Sequence, residues 1–374
     1  MGQGPSFDEL IAKAIAAKAS DLHLKAGSPP CIRVDGQLHV LGEYPSLTAE
    51  DTERLAQAIV PPRRRQEFEQ LNEADFAYTR PDGTRFRVNA FRQRGAAGVV
   101  LRRVIAHAPQ FAELSLPPAV QRLADEQRGL VLVTGPTGAG KTTTLAAMID
   151  HINRTRRCNI VTIEDPIEVL HQDKLSLINQ REIGNDTEDY HSALRRVLRQ
   201  DPDVIFIGEV RDRDAAWAGL AAAETGHLVL STLHTRDATE TINRFIDLFP
   251  QEQQRHIRVT LASSLRGVVS QRLLERADGK GRVPAVEVLI NTGRVFDRIM
   301  DPAQTHLIPQ VIVEGEYYGM QTFDQSLFQL YKNGMVSLRD ALAAASDPHD
   351  FRILLSQAGL ISHQNAIEGP GAKF

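Results

Sequence analysis

The chain has 374 residues and a formal net charge of −4, because 43 lysines and arginines face 47 aspartates and glutamates. A length of 374 residues exceeds one ordinary hydrophobic core, so two domains are predicted. The charge balance disfavours a nucleic-acid protein held by a basic surface, and two cysteines far apart in sequence give neither a zinc ribbon nor a disulfide framework.

The sequence gives no indication of export or of insertion into a bilayer. No apolar run approaches the roughly 18 residues that a spanning helix needs. The N-terminus lacks a charged region followed by an apolar core, so no signal peptide is expected. A cytoplasmic protein that meets a membrane only peripherally, through partners, is the resulting prediction.

The first hundred or so residues have the pattern of a small α+β domain. Apolar residues at helical spacing predict a helix over 7–19, and the capping pattern at Thr48 predicts a second helix after it. Alternating segments, with turns at Asp35-Gly36 and Pro81-Asp-Gly83, predict strands at 21–25, 31–35, 75–78, 84–91 and 98–102. The expected boundaries are 1–106 for this domain and 107–118 for a proline-rich linker.

From residue 119 onward the pattern alternates between helix and strand, which predicts a parallel sheet covered by helices. Helices are predicted over 142–153 and 193–199 and after Asp237, with Pro250 as a stop. The predicted core strands are 129–134, 160–163, 204–207 and 228–232. The expected boundaries are 119–290 for this core, 291–361 for a helical C-terminal region and 362–374 for a disordered tail.

The segment Gly135-Pro-Thr-Gly-Ala-Gly-Lys-Thr142 fits the phosphate-loop pattern G-x-x-x-x-G-K-[ST] and lies between a predicted strand and a predicted helix. Backbone amides at such a helix N-terminus bind phosphate oxygens. Lys141 is expected to reach the β- and γ-phosphates, and the Thr142 hydroxyl to ligate Mg²⁺. The sequence therefore predicts ATP or another nucleoside triphosphate with Mg²⁺ at Gly135, Pro136, Thr137, Gly138, Ala139, Gly140, Lys141, Thr142 and Thr143.

Carboxylates follow two of the predicted strands. Glu209 follows the carboxyl end of the predicted strand 204–207, where its carboxylate could hold Mg²⁺ through water. Glu164, Asp165 and Glu168 follow 160–163, and like charges this close in sequence need a cation or an activated water near them. One of the three is predicted to be the general base, although a solvated acidic loop is the alternative.

Histidines and arginines complete the candidate set. His227 and His234 bracket the strand 228–232 at a spacing that fits no tight metal motif, which leaves a structural role or sensing of the γ-phosphate. Arginine side chains can stabilise charge on a transferring phosphoryl group, although any single one is more simply a surface residue. The arginines considered are Arg85, Arg87, Arg102, Arg103, Arg195, Arg199 and Arg211.

Taken in order, these motifs resemble the secretion-ATPase superfamily, and within it the pilus retraction ATPases PilT and PilU. The resemblance covers roughly residues 7–350. Its markers are Ala19-Ser-Asp-Leu-His23, Arg85-Phe-Arg-Val-Asn-Ala-Phe91, the phosphate loop, Glu164-Asp-Pro-Ile-Glu168, Gly208-Glu-Val-Arg-Asp212, Thr225-Gly-His-Leu-Val-Leu-Ser-Thr-Leu-His-Thr235 and Gly319-Met-Gln-Thr-Phe-Asp-Gln325.

The resemblance implies a RecA-like P-loop NTPase core of α/β class, a smaller N-terminal PAS-like α+β domain and C-terminal helices. It implies Glu168 as the general base, Glu209 as the organiser of Mg²⁺ and water, and His227 and His234 as the family's histidine pair. His234 is then counted with Glu168, Glu209 and Lys141 among the catalytic residues. Nucleotide contacts are implied for Arg87, Arg102, Arg195 and Arg199.

The function implied is a cytoplasmic homo-hexameric ATPase that converts ATP hydrolysis into pilus retraction for twitching motility. Its implied partners are an inner-membrane platform protein and a paralogous retraction ATPase. The segment 292–301 lacks the Arg-Asn centre typical of PilT, and the C-terminal third looks closer to PilU. A nucleotide-binding accessory ring and an assembly or type II secretion ATPase are therefore the alternatives, and a nucleic-acid motor is disfavoured.

Overall fold

The computed structural model describes residues 5–34 and 36–361, and it divides into two compact units. Asp35 of the predicted turn and the predicted disordered tail lie outside the described residues. Unit 1 consists of the chain up to His107 together with Pro166–Leu170 and Gly184–Asp186. Unit 2 consists of Ala108–Asp165, His171–Ile183 and the chain from Thr187 onward. The two short segments of unit 1 interrupt the range that the sequence assigned to the core.

Unit 1 is a six-stranded antiparallel sheet with three helices. Its strand order is β3-β2-β1-β6-β5-β4. In chain order the elements are α1 Phe7–Ala16, β1 Asp21–Lys25, β2 Cys31–Val34, β3 Gln37–Val40, α2 Ala49–Ile59, α3 Pro62–Leu71, β4 Glu73–Thr79, β5 Arg85–Gln93 and β6 Ala96–Arg103.

Local sequence accounts for both ends of α1 and for the start of α2. Ser6 caps α1 by accepting a hydrogen bond from the amide of Glu9, and the helix ends before Lys18, whose φ is +55°. It therefore stops three residues short of the predicted 7–19. Helix α2 begins with a reciprocal capping box between Thr48 and Asp51, as predicted. Buried residues from helices and strands form one core beneath the sheet.

Unit 2 contains a seven-stranded sheet and the remaining helices. Its strands are β7 Gly129–Thr134, β8 Asn159–Glu164, β9 Leu177–Glu182, β10 Val204–Ile207, β11 Leu228–Leu233, β12 Leu265–Glu275 and β13 Arg282–Ile290. Its α-helices are α4 Phe111–Leu114, α5 Pro118–Ala124, α6 Lys141–Thr155, α7 Tyr190–Val197, α8 Arg213–Glu224, α9 Ala238–Asp247, α10 Gln251–Ser264, α11 Gly293–Met300, α12 Ile308–Val313, α13 Phe323–Lys332, α14 Leu338–Ala344 and α15 Pro348–Gln357. Two short 3₁₀ helices span Thr305–Leu307 and Glu316–Tyr318.

The sheet of unit 2 has the order β13-β12-β7-β11-β10-β8-β9. All neighbours pair in parallel except β13, which is antiparallel to β12. The predicted α/β architecture with a parallel-sheet core is confirmed. The sequence did not predict β9, which is a half-exposed edge strand, or β12 and β13, because β12 follows α10 without a turn signal.

Three further predictions about the helices differ from the structure. Helix α7 spans Tyr190–Val197 rather than 193–199, because Asp189 caps it by accepting from the amide of Ser192. The predicted linker contains the short helix α4. Pro250 does not directly end α9, which stops at Asp247, but forms the N-cap of α10.

Parallel pairing places the carboxyl ends of β7, β11, β10 and β8 along one edge of the sheet of unit 2. Ligands of open α/β sheets bind beyond this edge. We call it the carboxyl edge below, and the segments that follow these four strands carry the residues of the candidate site.

Candidate functional site

The phosphate loop, residues 135–142, connects strand β7 to helix α6 and has a backbone that depends on glycine. Gly135 has a φ of +140°, and a Cβ added there would lie 2.4 Å from the carbonyl oxygen of Gln271. Gly140 has a φ of +91° and forms the N-cap of α6. Because L-residues rarely adopt these conformations, the glycines permit the turn that leads from β7 into the N-terminus of α6.

Lys141 begins α6, and its side chain folds back over the loop. Its ammonium donates hydrogen bonds to the carbonyl oxygens of Gly135 and Pro136, at 2.8 and 3.1 Å. The residue is largely buried. A positive charge is thus held beside the helix N-terminus, where the partial charge of the helix is also positive. Two sources of positive potential at one helix N-terminus favour a polyanion.

A layer of polar side chains lies beneath the loop on the adjoining strands. Thr134 ends β7 and donates a hydrogen bond to the Ser270 hydroxyl at 2.9 Å. The next residue of β12, Gln271, donates from Nε2 to the Thr144 hydroxyl on α6 at 2.9 Å. All four side chains are buried. They tie the strand before the loop and the helix after it to the same neighbouring strand.

Further along the carboxyl edge, Glu209 is held by two basic side chains. Arg211 donates from Nε to Glu209 Oε2 at 2.8 Å, and His234 Nε2 lies 3.3 Å from Glu209 Oε1. Arg211 also lies 3.7 Å from Asp165. The hydrogen bond to Glu209 raises the pKa of the Arg211 guanidinium, so this ion pair is stable at neutral pH. Residues after β8, β10 and β11 therefore form one charged cluster.

The position of that cluster relative to the phosphate loop follows from the strand order. Strand β11 separates β7 from β10, so about two strand spacings, roughly 10 Å, lie between the ends of β7 and β10. The Thr142 hydroxyl and the Glu209 carboxylate supply oxygen ligands, and Mg²⁺ prefers oxygen, keeping several waters besides one or two protein groups and phosphates. The residues present therefore fit Mg²⁺ carried by a nucleotide. Across residues 5–34 and 36–361, no group of three His, Cys, Asp or Glu side chains could hold a metal by itself.

The three carboxylates after β8 have different surroundings. Glu164 is buried and accepts hydrogen bonds from Thr162 at 2.6 Å and Gln180 at 3.1 Å. Asp165 is exposed and faces Arg211. Glu168 belongs to unit 1, where its Oε1 lies 3.4 Å from Arg87 Nη1 and its carbonyl accepts from the amide of Ile105. Each of the three acids therefore has different hydrogen-bond or ion-pair partners.

Burial also affects a tyrosine beside these acids. Burial and the nearby carboxylate of Asp165 raise the pKa of the Tyr190 hydroxyl, which therefore stays protonated at any physiological pH. Its hydroxyl lies against Gly208, where a Cβ would come within 3.0 Å of it. Gly208 thus allows the side chain of α7 to pack close to the strand end that carries Glu209.

The predicted arginines lie in separate places. Arg102 donates from Nε to Asp21, a buried carboxylate of unit 1, at 2.7 Å. Arg195 and Arg199, with Ser192 and Arg196, line an exposed cavity of about 270 Å³ on unit 2. Arg195 lies on α7 and Arg199 follows the end of that helix, and both line this one cavity.

The structure does not bring His227 to the phosphate loop of its own chain. His227 precedes β11, which has six residues and pairs with β7 in parallel, and its Nδ1 lies 3.0 Å from the carbonyl of Ala222. At about 3.3 Å per residue, roughly 20 Å of strand separates it from the carboxyl edge. His227 and His234, the pair implied by the resemblance, therefore lie at opposite ends of β11.

The family of the chain is decided by comparison with known proteins. A family model described as Type II/IV secretion system protein matches residues 5–308. The type IV pilus retraction ATPase PilT of Pseudomonas aeruginosa is 44% identical over 343 residues, which cover 92% of this chain and 99% of PilT. The chain belongs to the PilT and PilU family.

Two further comparisons support this membership. The type IV pilus ATPase PilU of Pseudomonas aeruginosa is 40% identical over 349 residues, covering 93% of this chain and 91% of PilU. A crystal structure of the pilus retraction motor PilT with bound ADP superposes with a TM-score of 0.85 at 45% identity, covering 91% of this chain and 97% of that one. The resemblance stated from the motifs is confirmed.

Some site residues of this PilT and PilU family member had no signal in the sequence. The buried layer of Thr134, Thr144, Ser270 and Gln271 depends on the register between β7 and β12, and β12 was not predicted as a strand. A prediction of the strand after α10 would have found it.

In the part of the chain that the structure describes, no helix is long and apolar enough to span a bilayer.

Proposed function

We propose that the chain is a Mg²⁺-dependent ATPase that drives the retraction of type IV pili and thereby twitching motility. The observation that carries the proposal is the match to PilT along nearly the whole of both chains. The phosphate loop supports it, because its lysine and glycines have the geometry of a site for a polyanion. The ADP in the similar PilT crystal structure is consistent with that ligand.

In the proposed site, backbone amides of residues 137–143 bind the phosphates of ATP. The Lys141 ammonium gives up its hydrogen bonds to the carbonyl oxygens of Gly135 and Pro136 and donates to β- and γ-phosphate oxygens instead. The new charge-assisted hydrogen bonds offset the loss of the bonds to the carbonyls. Thr142 and Glu209 would hold Mg²⁺, which would supply charge neutralisation at the phosphates. His234 holds Glu209 on the side away from Arg211.

Glu168 is the proposed general base that accepts a proton from the attacking water. Its carboxylate is half-exposed, so water can reach it, and its ion pair with Arg87 at 3.4 Å is long and exposed. Such a pair contributes little to stability, so the carboxylate can exchange partners at small cost. Arg87, Arg102, Arg195 and Arg199 are proposed nucleotide contacts, and His227, remote from this chain's own loop, is proposed to act at a neighbouring subunit's nucleotide.

The assembly proposed is a homo-hexamer on the cytoplasmic face of the inner membrane, where it acts on a pilus platform protein. The match to PilU suggests a paralogous ATPase as a further partner. An accessory role beside a PilT-type motor is the second candidate, favoured by residues 292–301, which lack the Arg-Asn centre typical of PilT. Expression in Pseudomonas aeruginosa strains that lack either PilT or PilU separates the two, because only an independent motor restores twitching without PilT.

The biochemical test compares ATP hydrolysis by the purified full chain with that of Glu168→Gln. The variant should lose about 100-fold in kcat, since general base catalysis is worth about 10²–10⁴. Its affinity for ATP should be retained, because Lys141 and the loop are unchanged. Glu50→Gln, an exposed glutamate in the first turn of α2, is the matched control and should hydrolyse ATP at the rate of the parent.

Three results would contradict the proposal at different levels. If the parent chain shows no hydrolysis in excess Mg²⁺, the ATPase assignment fails. If it hydrolyses ATP equally well after EDTA is added, the Mg²⁺ dependence fails. If the parent chain hydrolyses ATP and Glu168→Gln does so equally well, the ATPase assignment stands and Glu168 is not the base.

A further inference from the structure

The turn that follows strand β11, residues 234–237, is closed by buried hydroxyl groups. Thr241 on the first turns of helix α9 donates from Oγ1 to the carbonyl oxygen of Asp237 at 2.6 Å. The hydroxyls of Thr235 and Thr241 are 2.6 Å apart. Since the Thr241 proton goes to the carbonyl, the Thr235 hydroxyl donates to Thr241. Both threonines are buried, so water does not compete for these bonds.

The same turn is attached to the sheet on two sides. Thr241 Oγ1 lies 3.5 Å from the hydroxyl of Thr134, the residue before the phosphate loop. The amide of Ala238 donates to the buried carboxyl of Glu287 on β13 at 2.8 Å. The turn therefore has a fixed position relative to the strand that leads into the loop.

His234 is the first residue of this turn and depends on it for its position. Its side chain is about half-exposed, and its ring contacts Glu209 at 3.3 Å. An exposed ring is held only weakly by packing, so the backbone that carries it must set where the ring lies. That backbone is continuous with Thr235 and is closed by Thr241.

We propose that the Thr241 hydroxyl is a positioning group for ATP hydrolysis, because it closes the turn that holds His234 against Glu209 at the carboxyl edge. The inference rests on the proposed function, in which Glu209 arranges Mg²⁺ and water. Thr241 touches neither nucleotide nor metal in this arrangement. It acts through the backbone of residues 234–237.

The test replaces Thr241 by valine in the full chain, which keeps the shape and removes the hydroxyl. The turn loses an acceptor for Thr235 and a donor for the Asp237 carbonyl, so His234 loses its fixed position. We expect kcat to fall about tenfold or more, since small displacements at a reacting centre cost up to about 10². The Kd for a non-hydrolysable ATP analogue should change less than about twofold, because Lys141 and its loop are unchanged.

Three comparisons separate positioning from a general loss of stability. Thr241→Ser keeps the hydroxyl and should restore most of kcat. Thr52→Val makes the same change at a buried helical threonine of unit 1, whose hydroxyl donates to the carbonyl of Ala49 at 3.1 Å, and should leave kcat unchanged. In a His234→Ala background, Thr241→Val should cause no further loss, because the group that it positions is gone.

Each outcome decides one question. Absence of hydrolysis by the parent chain overturns the proposed function. The positioning role is overturned if the parent hydrolyses ATP and Thr241→Val has the same kcat. It is also overturned if Thr241→Val lowers kcat by the same factor in the parent and in the His234→Ala background. If Thr241→Val does not fold, Thr235→Val removes the other hydroxyl of the pair, and the same kcat and Kd measurements apply to it.

Discussion

Replacing Glu287 by glutamine should make the stability of unit 2 less dependent on pH. The Glu287 carboxyl is buried on β13 and accepts a hydrogen bond from the amide of Ala238. Burial raises its pKa from 4.5 to about 7, and the hydrogen bond from Ala238 only partly offsets this. Glutamine has nearly the same shape and keeps an oxygen that can accept from Ala238, so the change removes only the titrating charge.

The magnitude follows from the difference between the folded and unfolded pKa values. A folded pKa above the unfolded value means that the contribution to stability is complete below pH 4.5 and is lost as the pH rises through 7. A shift of this size corresponds to about 3 kcal/mol at full extent, of which about 2 to 3 kcal/mol is lost between pH 5 and pH 8. The glutamine variant does not incur this loss, so its advantage over the parent should grow by that amount across the interval.

Urea unfolding at pH 5 and pH 8, followed by tryptophan fluorescence, measures this difference. Trp217 is the single tryptophan of the chain and lies half-exposed on helix α8, so its emission reports the unfolding of unit 2. Glu275→Gln is the matched control, because it removes an exposed carboxyl from the end of β12, the strand beside β13. Its free energy of unfolding should follow that of the parent at both pH values.

The reasoning is refuted if the free-energy difference between Glu287→Gln and the parent is the same at pH 5 and pH 8. That result would mean that the folded protein holds Glu287 as a carboxylate across the whole range. The amide of Ala238 and the guanidinium of Arg272 would then stabilise the charge more than burial disfavours it.

The remaining predictions concern the phosphate loop and a half-buried histidine. Gly135→Ala should abolish ATP binding in an equilibrium titration, because the added Cβ would lie 2.4 Å from a backbone oxygen. Gly138→Ala is the control: its Cβ would meet no atom within 4 Å, so ATP binding should only weaken. Equal ATP affinities of the two variants would show that the clash at Gly135 is relieved. Burial lowers the pKa of His171 from 6.5 to about 4, so the stability that it contributes above pH 6.5 is lost as the pH falls towards 4. His171→Leu should therefore flatten the acid side of the stability profile by up to about 3 kcal/mol in the same fluorescence assay, and an unchanged profile would contradict the lowered pKa.

Features contained in one short segment could be predicted from the sequence. The phosphate loop is such a feature, because its glycines, Lys141 and Thr142 are contiguous and the strand and helix around it have clear apolar patterns. The caps at Thr48 and Asp237 are also local, and both occur as predicted. Local sequence determines these elements because their hydrogen bonds join residues three or four positions apart.

Features that depend on strand register could not be predicted. Thr241 and Thr134 are 107 positions apart, and their hydroxyls meet only because β7, β11 and β12 align as they do. His227 is the converse case, since it shares a sequence motif with His234 but lies at the opposite end of a strand. Each strand residue adds about 3.3 Å, so the backbones of His227 and His234 are roughly 20 Å apart. This distance is too large for both side chains to reach one phosphate.

The carboxylates after β8 show how identical chemistry acquires different roles through its surroundings. A general base must be ionised, reachable by water and able to give up its present partner. Glu164 is buried and accepts two hydrogen bonds within the sheet, so giving up either would leave a buried polar group without its partner. Asp165 faces an arginine that already binds Glu209 more closely. Asp165 and Glu168 both combine an exposed carboxylate with a long, exposed ion pair, so the surroundings of the three acids disfavour Glu164. The choice of Glu168 as the proposed base rests on the family resemblance and on the prior engagement of Arg211 with Glu209.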